Sequence, residues 1–426
     1  MRQSALFTKT RREAPKDEEA VNARLLIRAG YVDKVLAGVY SFLPLGFRVF
    51  QKIEAIIRQS MEEIGGVELL LPALQPKANW ELTDRFKTYD ALFKFVSYYS
   101  KQDFVLGPTH EEIISPLMKR FILSYKDLPR AVFQIQTKFR DEARVKSGLL
   151  RGREFVMKDL YSFHADTADL DQYYENVMNA YKKIFDRVGI GEKTHLTFAS
   201  GGSFSKYSHE FQTLTSAGED EIYLCKQCAV AINKEIIKDQ IVCPECKGGD
   251  LKKEKAVEVG NIFKLHTKYS DPFSLTYRSR AGKEQKVYMG CYGIGLNRLI
   301  GTIVELSHDT RGIIWPEAVA PFKIHLIRLG DSATIMKLGE KVYADFSGES
   351  REDDRQGSYA AVLYDDRNDA SSGEKLIDAD LIGIPWRAVL SEKTKGKIEL
   401  KRRNENETKL VDAKELMRIL RASDTN

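Results

Sequence analysis

The chain has few cysteines, prolines and tryptophans, and it contains no long hydrophobic run. Its 426 residues include 5 Cys, 12 Pro and 3 Trp. Five cysteines are too few to build a disulfide-rich secreted scaffold of this length. No apolar segment approaches the roughly 18 residues that a membrane-spanning helix needs, and the first residues lack the apolar core of a secretory signal. We therefore expect no membrane partner and a cytoplasmic location.

The composition is typical of a globular protein with two or three domains. Apolar residues make up 43% and charged residues 30% of the chain, which excludes collagen, long coiled coils and wholesale disorder. Lys and Arg number 66 against 61 Asp and Glu, a formal net charge of +5. This small excess is compatible with RNA binding but does not by itself indicate it.

Four of the cysteines lie close together in the sequence. Cys225 and Cys228 form one C-x2-C pair, Cys243 and Cys246 form another, and Cys291 stands apart. This spacing is close to that of a zinc ribbon, in which four thiolates enclose a structural Zn²⁺ ion. Four reduced thiols without metal are the alternative. A closed site has no open position for water, so we assign it no catalysis.

Hydrophobic periodicity predicts an organisation in two parts. We expect helices at 46–64, 169–188 and 297–306, and strands at 67–71 (buried), 131–139, 153–157 and 287–290, the last ending in a glycine-rich turn. A basic loop is expected at 143–152. Beyond a boundary near 315–321, strands at 324–329, 360–364 and 386–390 alternate with helices at 333–346, 374–381 and 413–420. Such alternation predicts a small α/β domain.

Three short motifs carry residues suited to binding a charged ligand. FRDE (139–142) and REF (153–155) place Arg140, Glu142 and Phe155 on adjacent predicted strands. An arginine can clamp phosphate or carboxylate, and an aromatic ring can stack on a base. In isolation, a surface ion pair is the commoner explanation of such a fragment.

The second motif is GIGLNR (293–298), in which Gly293 and Gly295 allow close approach of a ligand and Arg298 could meet phosphate. It is neither a Rossmann fingerprint nor a P-loop. The third is GPTHEE (107–112), where Thr109 and Glu111 could hold an ammonium group. Taken alone, the second motif is better explained as a tight strand-to-helix turn, whereas the third is equally compatible with an ordinary helix start.

Three features of the chain occur in the order seen in class II aminoacyl-tRNA synthetases and resemble the motifs of that class. They are Pro72 after a helix and a strand, the Arg-x-Glu…Phe pair, and the Gly-x-Gly-x-x-Arg helix. Longer segments resemble bacterial prolyl-tRNA synthetases: LGPTHEE (106–112), QIQTKFRDE (134–142), REFVMKD (153–159), YSFH (161–164), MGCYGIG (289–295), GIIWP (312–316) and ADLIGIP (379–385). The resemblance runs from residue 1 to about residue 410.

The resemblance implies a fold and a reaction. The fold would be an α+β class II synthetase catalytic core, an antiparallel sheet flanked by helices, with a small zinc-ribbon-like insertion and a C-terminal α/β anticodon-binding domain. The expected division is 1–217 and 257–320 for the core, 218–256 for the insertion and 321–426 for the anticodon-binding domain. The reaction would be ATP-dependent ligation of L-proline to tRNA(Pro) through prolyl-adenylate, releasing AMP and pyrophosphate.

The resemblance also assigns residue roles. Arg140 would bridge the α-phosphate of ATP and the proline carboxylate, Glu142 would accept from the adenine amino group, and Phe155 would stack on adenine. Arg298 would lie on the opposite side of adenine, near the γ-phosphate. With the metal ligands taken from the cysteine spacing and not from the resemblance, the full expected set is: catalytic, Arg140 and Arg298; proline-binding, Thr109, Glu111, Arg140, Phe163 and His164; ATP-binding, Arg140, Glu142, Phe155, Gly293, Gly295 and Arg298; tRNA-binding, Lys401, Arg402 and Arg403; metal-binding, Cys225, Cys228, Cys243 and Cys246.

Three further expectations come with the resemblance. Mg²⁺ is expected with ATP, and Glu210 in SHEF (208–211) is a candidate ligand. A homodimer is expected, with an interface formed by the helix from Gly46 and the strand that ends at Pro72. For His164, a purely structural role is an equal alternative to the pocket wall.

The sequence departs from this family in places. Residues 211–257 are too few for the long editing domain that many bacterial members insert here, so we expect no hydrolysis of alanyl-tRNA(Pro) in cis. The segment WELTDR (80–85) stands where many relatives have a segment that ends in Ser-Gly-Arg. The segment DRNDASSG (366–373) lacks the Arg-x-x-Pro-Gly motif expected in the C-terminal domain. The second departure affects the anticodon contacts.

Three alternatives remain. A class II synthetase for threonine, serine, glycine or histidine would share the core, although a threonine enzyme would spread its zinc ligands through that core. A non-catalytic RNA-binding relative would lose phosphate-binding residues, yet Arg140, Glu142 and Arg298 are all present. A zinc-ribbon nucleic-acid binder leaves most of the chain unexplained.

Overall fold

The structure is a computed structural model that describes residues 1–145, 147–202, 204, 207–349 and 362–422. The chain divides into two compact units. The first contains Met1–Asp33, Ser41–Lys52 and the residues from Val304 onward, and the second contains Lys34–Tyr40 and Ile53–Ile303. Within the described residues, every helix is too short or too polar to span a bilayer.

The α-helices, in chain order, are α1 (Val21–Arg28), α2 (Pro44–Glu63), α3 (Lys77–Leu82), α4 (Arg85–Thr88), α5 (Glu111–Met118), α6 (Thr167–Arg187), α7 (Leu296–Leu306), α8 (Ala333–Glu349), α9 (Ser372–Ile382) and α10 (Ala413–Ala422). The helices predicted from periodicity at 46–64, 169–188 and 297–306 correspond to α2, α6 and α7. Asp166 caps α6 by accepting a hydrogen bond from the backbone of Asp169.

The strands, in chain order, are β1 (Val32–Leu36), β2 (Val39–Phe42), β3 (Val67–Glu68), β4 (Leu74–Pro76), β5 (Lys94–Val96), β6 (Asp103–Leu106), β7 (Arg130–Phe139), β8 (Glu154–His164), β9 (Thr194–Ser200), β10 (Tyr207–Leu214), β11 (Asp220–Cys225), β12 (Ala231–Asn233), β13 (Leu251–His266), β14 (Thr276–Arg278), β15 (Glu284–Lys286), β16 (Tyr288–Gly295), β17 (Ile324–Arg328), β18 (Val362–Asp365), β19 (Trp386–Leu390), β20 (Ile398–Arg402) and β21 (Thr408–Val411).

A nine-stranded sheet forms the framework of the second unit. Its order is β10-β9-β12-β11-β13-β16-β8-β7-β3, and β13, β16, β8 and β7 pair antiparallel. Aromatic and aliphatic side chains on one face form a core with Ile114 of α5, Tyr161 and Phe163 of β8 and Tyr269. On the other face, α6 packs against β8, β13 and β16. The sheet and its helices match the predicted α+β core.

Five strands of this sheet form a closed ring. β10 pairs with β9, β9 with β12, β12 with β11 and β11 with β13, and β13 returns to pair with β10. Both Leu214 and Asp220 lie opposite Ala256, so the turn between them crosses over β13. Gly218 makes this crossing possible, because a Cβ there would collide with the carbonyl of Ala256.

The first unit contains a smaller sheet of order β18-β17-β19-β20-β21. β17 pairs in parallel with β18 and β19, whereas β20 and β21 pair antiparallel. Strands joined in parallel through helices are typical of an α/β domain, as the alternating pattern predicted. Of the strand predicted at 360–364, residues 360 and 361 lie outside the described residues, and β18 begins at Val362.

The sequence prediction was wrong for two segments. The apolar run 67–71 does not form a buried strand: β3 is two residues long, Val67 is 62% exposed and Leu70 is 74% exposed. Leu71 at its end belongs to the core, and the partly buried Leu69 packs against it. The strand expected at 287–290 instead runs from Tyr288 to Gly295 and passes directly into α7, so no glycine-rich turn separates them.

Candidate active site

Two antiparallel strands bring Arg140, Glu142 and Phe155 together. β7 ends with Phe139 opposite Glu154 of β8, and the N–H of Arg140 donates to the carbonyl of Arg153 at 2.8 Å. This pairing places the Arg140 guanidinium over the Phe155 ring, with 5.1 Å between Cζ and the ring centroid. The contact is a cation–π arrangement that fixes the arginine above the sheet.

The guanidinium of Arg140 retains unused hydrogen-bonding capacity. Nη2 makes a long contact of 3.5 Å with the carbonyl of Pro108, and the buried Nε has no partner among the described residues. A buried, charged donor without a partner is costly. Arg140 is therefore placed to receive an anionic ligand, between the Gly107–Pro108 turn and the cleft described next.

A cleft, here called the arginine cleft, opens beside this hairpin. Its walls include Arg140, Glu142, Phe155, Gly293, Gly295 and Arg298. The structure thus brings together all six residues that the sequence predicted as ATP-binding.

Gly293 and Arg298 belong to β16 and the first turn of α7. A Cβ at Gly293 would lie 2.9 Å from Oδ1 of Asn261, so glycine keeps this wall open. Arg298 donates from Nε to the carbonyl of Leu150 at 2.9 Å and from Nη1 to the carbonyl of Glu258 at 2.8 Å. These two bonds hold the guanidinium at the cleft although its side chain is 30% exposed.

Glu142 is held by a neighbouring arginine. Arg151 donates to Oε2 of Glu142 from Nε at 2.9 Å and lies 2.9 Å from Glu219 through Nη1. Arg153 also donates to the backbone carbonyl of Glu142. Arg151 lines this cleft and Glu219 lines the adjoining one. The sequence analysis singled out neither, because their pairing joins positions 68 residues apart.

Thr109 and Glu111 form a second, buried pocket at the start of α5. Oγ1 of Thr109 donates to Oε2 of Glu111 at 2.5 Å, and Sγ of Cys291 donates to Oε1 at 3.2 Å. Glu111 is fully buried at the helix N-terminus, where the helix dipole favours a carboxylate. The predicted pair therefore lies together, in a pocket suited to a small cation.

Arg85 is the residue of this pocket that the sequence analysis missed. Its Nη1 lies 3.3 Å from Oε2 of Glu111 and 3.0 Å from Oε1 of Glu112. Four aromatic rings lie about its guanidinium, with centroids 5.0–5.5 Å from Cζ: Trp80, Tyr89, Phe204 and Tyr269. Burial, opposed by Arg85 and reinforced by Glu111, raises the pKa of Glu112 to about 7.

A sequence signal for Arg85 existed in WELTDR, which keeps the arginine of the Ser-Gly-Arg ending. Asp84 immediately before it has a φ of 58°, in the left-handed region that glycine adopts most easily. Asp84 therefore keeps the backbone conformation that glycine would adopt at this position. The conformation is less favourable for aspartate than for glycine, but aspartate tolerates it better than most residues do.

Phe163 and His164 lie on opposite faces of β8, as alternation along a strand requires. Phe163 belongs to the core that contains Cys291 and Tyr269, on the side of the buried pocket. His164 faces α6: its Nδ1 lies 2.7 Å from Oδ2 of Asp169, and its ring lies 5.6 Å from that of Tyr173. The structure does not bring His164 to the pocket.

Three carboxylates gather beside the arginine cleft and form what we call the acidic group: Glu210, Asp220 and Glu258. Gln212 donates through Nε2 to both Glu210 and Asp220 at 2.9 Å. Burial and the neighbouring Glu258 raise the pKa of Glu210 to about 8. Oε1 of Gln212 is buried and has no partner among the described residues. Oxygen ligands of this kind are those that hard divalent cations prefer.

The four predicted cysteines converge, and we call them the cysteine cluster. Their Sγ atoms all lie within 4.8 Å of one another, with 3.5 Å between Cys225 and Cys246 and 3.4 Å between Cys228 and Cys243. These separations exclude disulfides and approximate the edges of a tetrahedron with Zn–S bonds of about 2.3 Å.

Each C-x2-C pair of the cluster forms the same knuckle. Ala229 and Lys247, the residues after the second cysteine of each pair, have φ values of 59° and 61°. Their N–H groups donate to the carbonyls of Cys225 and Cys243 at 3.0 Å.

The basic residues predicted to contact tRNA differ in exposure. Arg403 is buried and makes a two-pronged ion pair with Asp309, at 2.6 and 2.9 Å. Arg402 lies over the Trp386 ring at 4.4 Å and 3.3 Å from Glu317. Lys401 is half-buried on β20. Thus only Lys401 and Arg402 present charge at the surface.

Comparison with known proteins identifies two family models. The "tRNA synthetase class II core domain (G, H, P, S and T)" matches residues 93–307, and the "Anticodon binding domain" matches residues 318–423. Among solved structures, the fold resembles Giardia lamblia prolyl-tRNA synthetase in complex with prolyl-adenylate. That match has a TM-score of 0.75 at 19% identity, over 92% of this chain and 74% of the other.

A second structural neighbour is prolyl-tRNA synthetase from Cryptosporidium parvum, complexed with halofuginone and AMPPNP. It matches with a TM-score of 0.76 at 15% identity, over 94% of this chain and 77% of the other. At these identities the two structures support the fold alone.

Curated relatives match along the whole chain. The proline–tRNA ligase of Caulobacter sp. (strain K31) is 35% identical over 452 positions, covering 100% of this chain and 99% of the other. That of Staphylococcus aureus (strain MRSA252) is 32% identical over 572 positions, covering 99% of each. Since this chain has 426 residues, at least 146 of those 572 positions hold none of its residues. With full-length identity above 30%, this chain belongs to the prolyl-tRNA synthetase family of class II aminoacyl-tRNA synthetases.

Proposed function

We propose that this chain activates L-proline with ATP, forming prolyl-adenylate and pyrophosphate, and then transfers the prolyl group to tRNA(Pro). The observation that carries the proposal is the position of Arg140. Its guanidinium lies between the arginine cleft and the turn that leads into the buried pocket, and its buried Nε has no partner among the described residues. A single cation there can contact both reactants of the first step.

In the first step, a proline carboxylate oxygen attacks the α-phosphorus of ATP, and the bond to pyrophosphate breaks. This reaction needs positioning and charge stabilisation more than proton transfer. Arg140 neutralises the approaching anions, and Arg298 on the far wall binds the departing phosphates. Phe155 supplies the stacking surface for adenine, and Glu142 accepts from its amino group with the oxygen that Arg151 leaves available.

The buried pocket accounts for selection of the amino acid. The cationic imino group of proline binds at the Thr109 and Glu111 side chains, where it joins the hydrogen bonds already made to the carboxylate. Arg85 holds Glu111 in place within the core through their ion pair. Phe163 forms part of the apolar wall behind it. His164 serves in the packing of α6.

Two metal ions complete the proposal. Mg²⁺ accompanies ATP, and the carboxylates of the acidic group, with Oε1 of Gln212, are the oxygen ligands that fit it; it would supply charge neutralisation for the phosphates. Zn²⁺ fits the cysteine cluster, whose four sulfurs match a closed structural site. The zinc would supply folding energy to residues 218–256.

Partners follow from the family. The anticodon stem of tRNA(Pro) binds the α/β domain at 321–426, where Lys401 and Arg402 meet its phosphates. A second copy of the chain covers the exposed apolar side chains that follow α2: Val67, Leu70, Leu74 and Leu82. We place the enzyme in the cytoplasm.

The test is amino-acid-dependent ATP–pyrophosphate exchange by the purified protein. We expect exchange to be strongest with proline among proline, threonine, serine, glycine, histidine, alanine and cysteine. Arg140→Lys should lower kcat by about 10²–10³-fold, because a point charge cannot bridge two anions as a planar guanidinium does. Arg144→Lys, an exposed change in the same loop, is the control. Strongest exchange with another amino acid would refute the assignment to proline.

A further inference from the structure

The cysteine cluster and the acidic group belong to one hydrogen-bonded assembly. β11 has its metal-binding end at Cys225, opposite Leu251, and its other end at Asp220, opposite Ala256. At about 3.3 Å per residue, these ends are about 17 Å apart. One short strand therefore joins the cluster to a carboxylate beside the arginine cleft.

A second connection runs through β12. This strand lies in the 14-residue segment between Cys228 and Cys243, so a metal bound to the cluster would tie down both of its ends. It inserts between β9 and β11, with Ala231 opposite both Thr197 and Leu224. Its three residues are buried. A strand of three residues gains little stability from its own hydrogen bonds. A metal ion that closes the segment would restrict the conformations of β12 and so stabilise its position in the sheet.

The last residue of β12 reaches the acidic group. Nδ2 of Asn233 donates to Oε2 of Glu210 at 3.1 Å, the same oxygen that receives Nε2 of Gln212. Asn233 is 7% exposed. Its amide therefore helps to fix the orientation of the Glu210 carboxylate.

We infer that Asn233 is a positioning residue for the Mg·ATP site, and that metal in the cysteine cluster holds it in place. This inference rests on the proposed function for the identity of the nucleotide. Asn233 acts through Glu210 and not by touching ATP. The cysteine-containing segment is thus a support for nucleotide binding, in addition to being a folded module of its own.

The test measures binding of AMPPNP to the full-length, zinc-loaded protein by calorimetry, with and without Mg²⁺. Asn233→Asp keeps the shape of the side chain but replaces the donor by a carboxylate. We expect its Kd for Mg·AMPPNP to rise about tenfold, while the Kd without Mg²⁺ changes by less than about twofold. Lys238→Gln, an exposed change of equal charge difference in the same segment, should leave both values unchanged.

A second measurement tests the inference even if the Asn233→Asp variant does not fold. Zinc is removed from the wild-type protein with a thiol-directed mercurial, metal content is measured, and zinc is restored after thiol treatment. We expect the Kd for Mg·AMPPNP to rise on removal and to recover on restoration, with one zinc per chain in both loaded samples. An Asn233→Asp variant that binds like Lys238→Gln, or metal-free protein that binds like loaded protein, overturns the inference. Failure of proline-dependent exchange with normal AMPPNP binding would instead count against the proposed function.

Discussion

The guanidinium of Arg85 lies 3.3 Å from the carboxylate of Glu111, and both side chains are almost completely buried. A fixed cation beside a buried carboxylate offsets part of the cost of burying that carboxylate and fixes its orientation. The pair is therefore in place before any substrate enters, and its role can be tested directly.

Glu111→Gln should raise KM for proline by at least about 100-fold, because the neutral amide loses the charge-assisted bond to the imino group. KM for ATP should change little. Exchange kinetics at varied proline and ATP provide the measurement. Glu63→Gln, an exposed change at the end of α2, is the control. An unchanged KM for proline in Glu111→Gln would show that the Glu111 carboxylate does not bind proline.

Binding of Mg²⁺ should depend on pH. The pKa of Glu210 is raised to about 8, so at pH 7 the metal must displace a proton from it. Mg²⁺ affinity should increase by up to about tenfold per pH unit below 8 and level off above it. Titration of Mg²⁺ with fixed AMPPNP between pH 6.5 and 9 measures this, and Glu210→Gln should flatten the profile.

The raised pKa of Glu210 also determines how the stability of the folded protein changes with pH. The carboxyl of Glu210 ionises near 4.5 when unfolded and near 8 when folded. Its contribution to stability is therefore present below about pH 4.5 and is lost as the pH rises through 8. Without Mg²⁺, chemical denaturation should show Glu210→Gln gaining stability over the wild-type protein at pH 8.5 relative to pH 6. An identical difference at both pH values would contradict the raised pKa.

The cysteine cluster should bind one zinc per chain. Elemental analysis of protein purified without chelator should give close to one equivalent, and less than half an equivalent would count against the site. Cys243→Ser should lose the metal and lower the melting temperature, since metal-binding energy is folding energy for such a segment. Cys291→Ser lies outside the cluster and should retain the zinc.

The basic residues of β20 and its end should separate into two classes. Lys401→Glu with Arg402→Glu should raise KM for tRNA without affecting proline-dependent exchange. Arg403→Ala should instead lower the free energy of unfolding by about 1–3 kcal/mol, because Asp309 loses a charged hydrogen-bonding partner. That partner holds the pKa of Asp309 well below its usual range. A double variant of Lys401 and Arg402 with normal KM for tRNA would exclude this contact.

The purified protein should not hydrolyse alanyl-tRNA(Pro). The alignment with the Staphylococcus aureus enzyme leaves at least 146 positions without a residue of this chain, and residues 211–257 are occupied by β11, β12 and the cysteine cluster. Deacylation assays with pre-formed alanyl-tRNA(Pro) test this expectation. Hydrolysis above the uncatalysed rate would show that another part of the chain edits.

What the sequence revealed of the site depended on how local each signal was. Arg140, Glu142 and Phe155 were found because two adjacent strands and a short loop carry them. Arg85 and Arg403 were not understood, because their partners Glu111 and Asp309 lie 26 and 94 residues away. Strand alternation separates Phe163 from His164 but does not say which of them faces the pocket. The fold class and the cysteine cluster followed from the family resemblance and from spacing alone.

The ring of five strands described above has a consequence for solubility. In a closed ring every strand has a neighbour on both sides, and β12, with three residues, is the shortest strand of this ring. If β12 leaves, β9 and β11 each expose a row of free N–H and C=O groups, which is a template for pairing with another chain. Metal-free protein should therefore self-associate before it unfolds globally, so its first visible defect would be precipitation during purification.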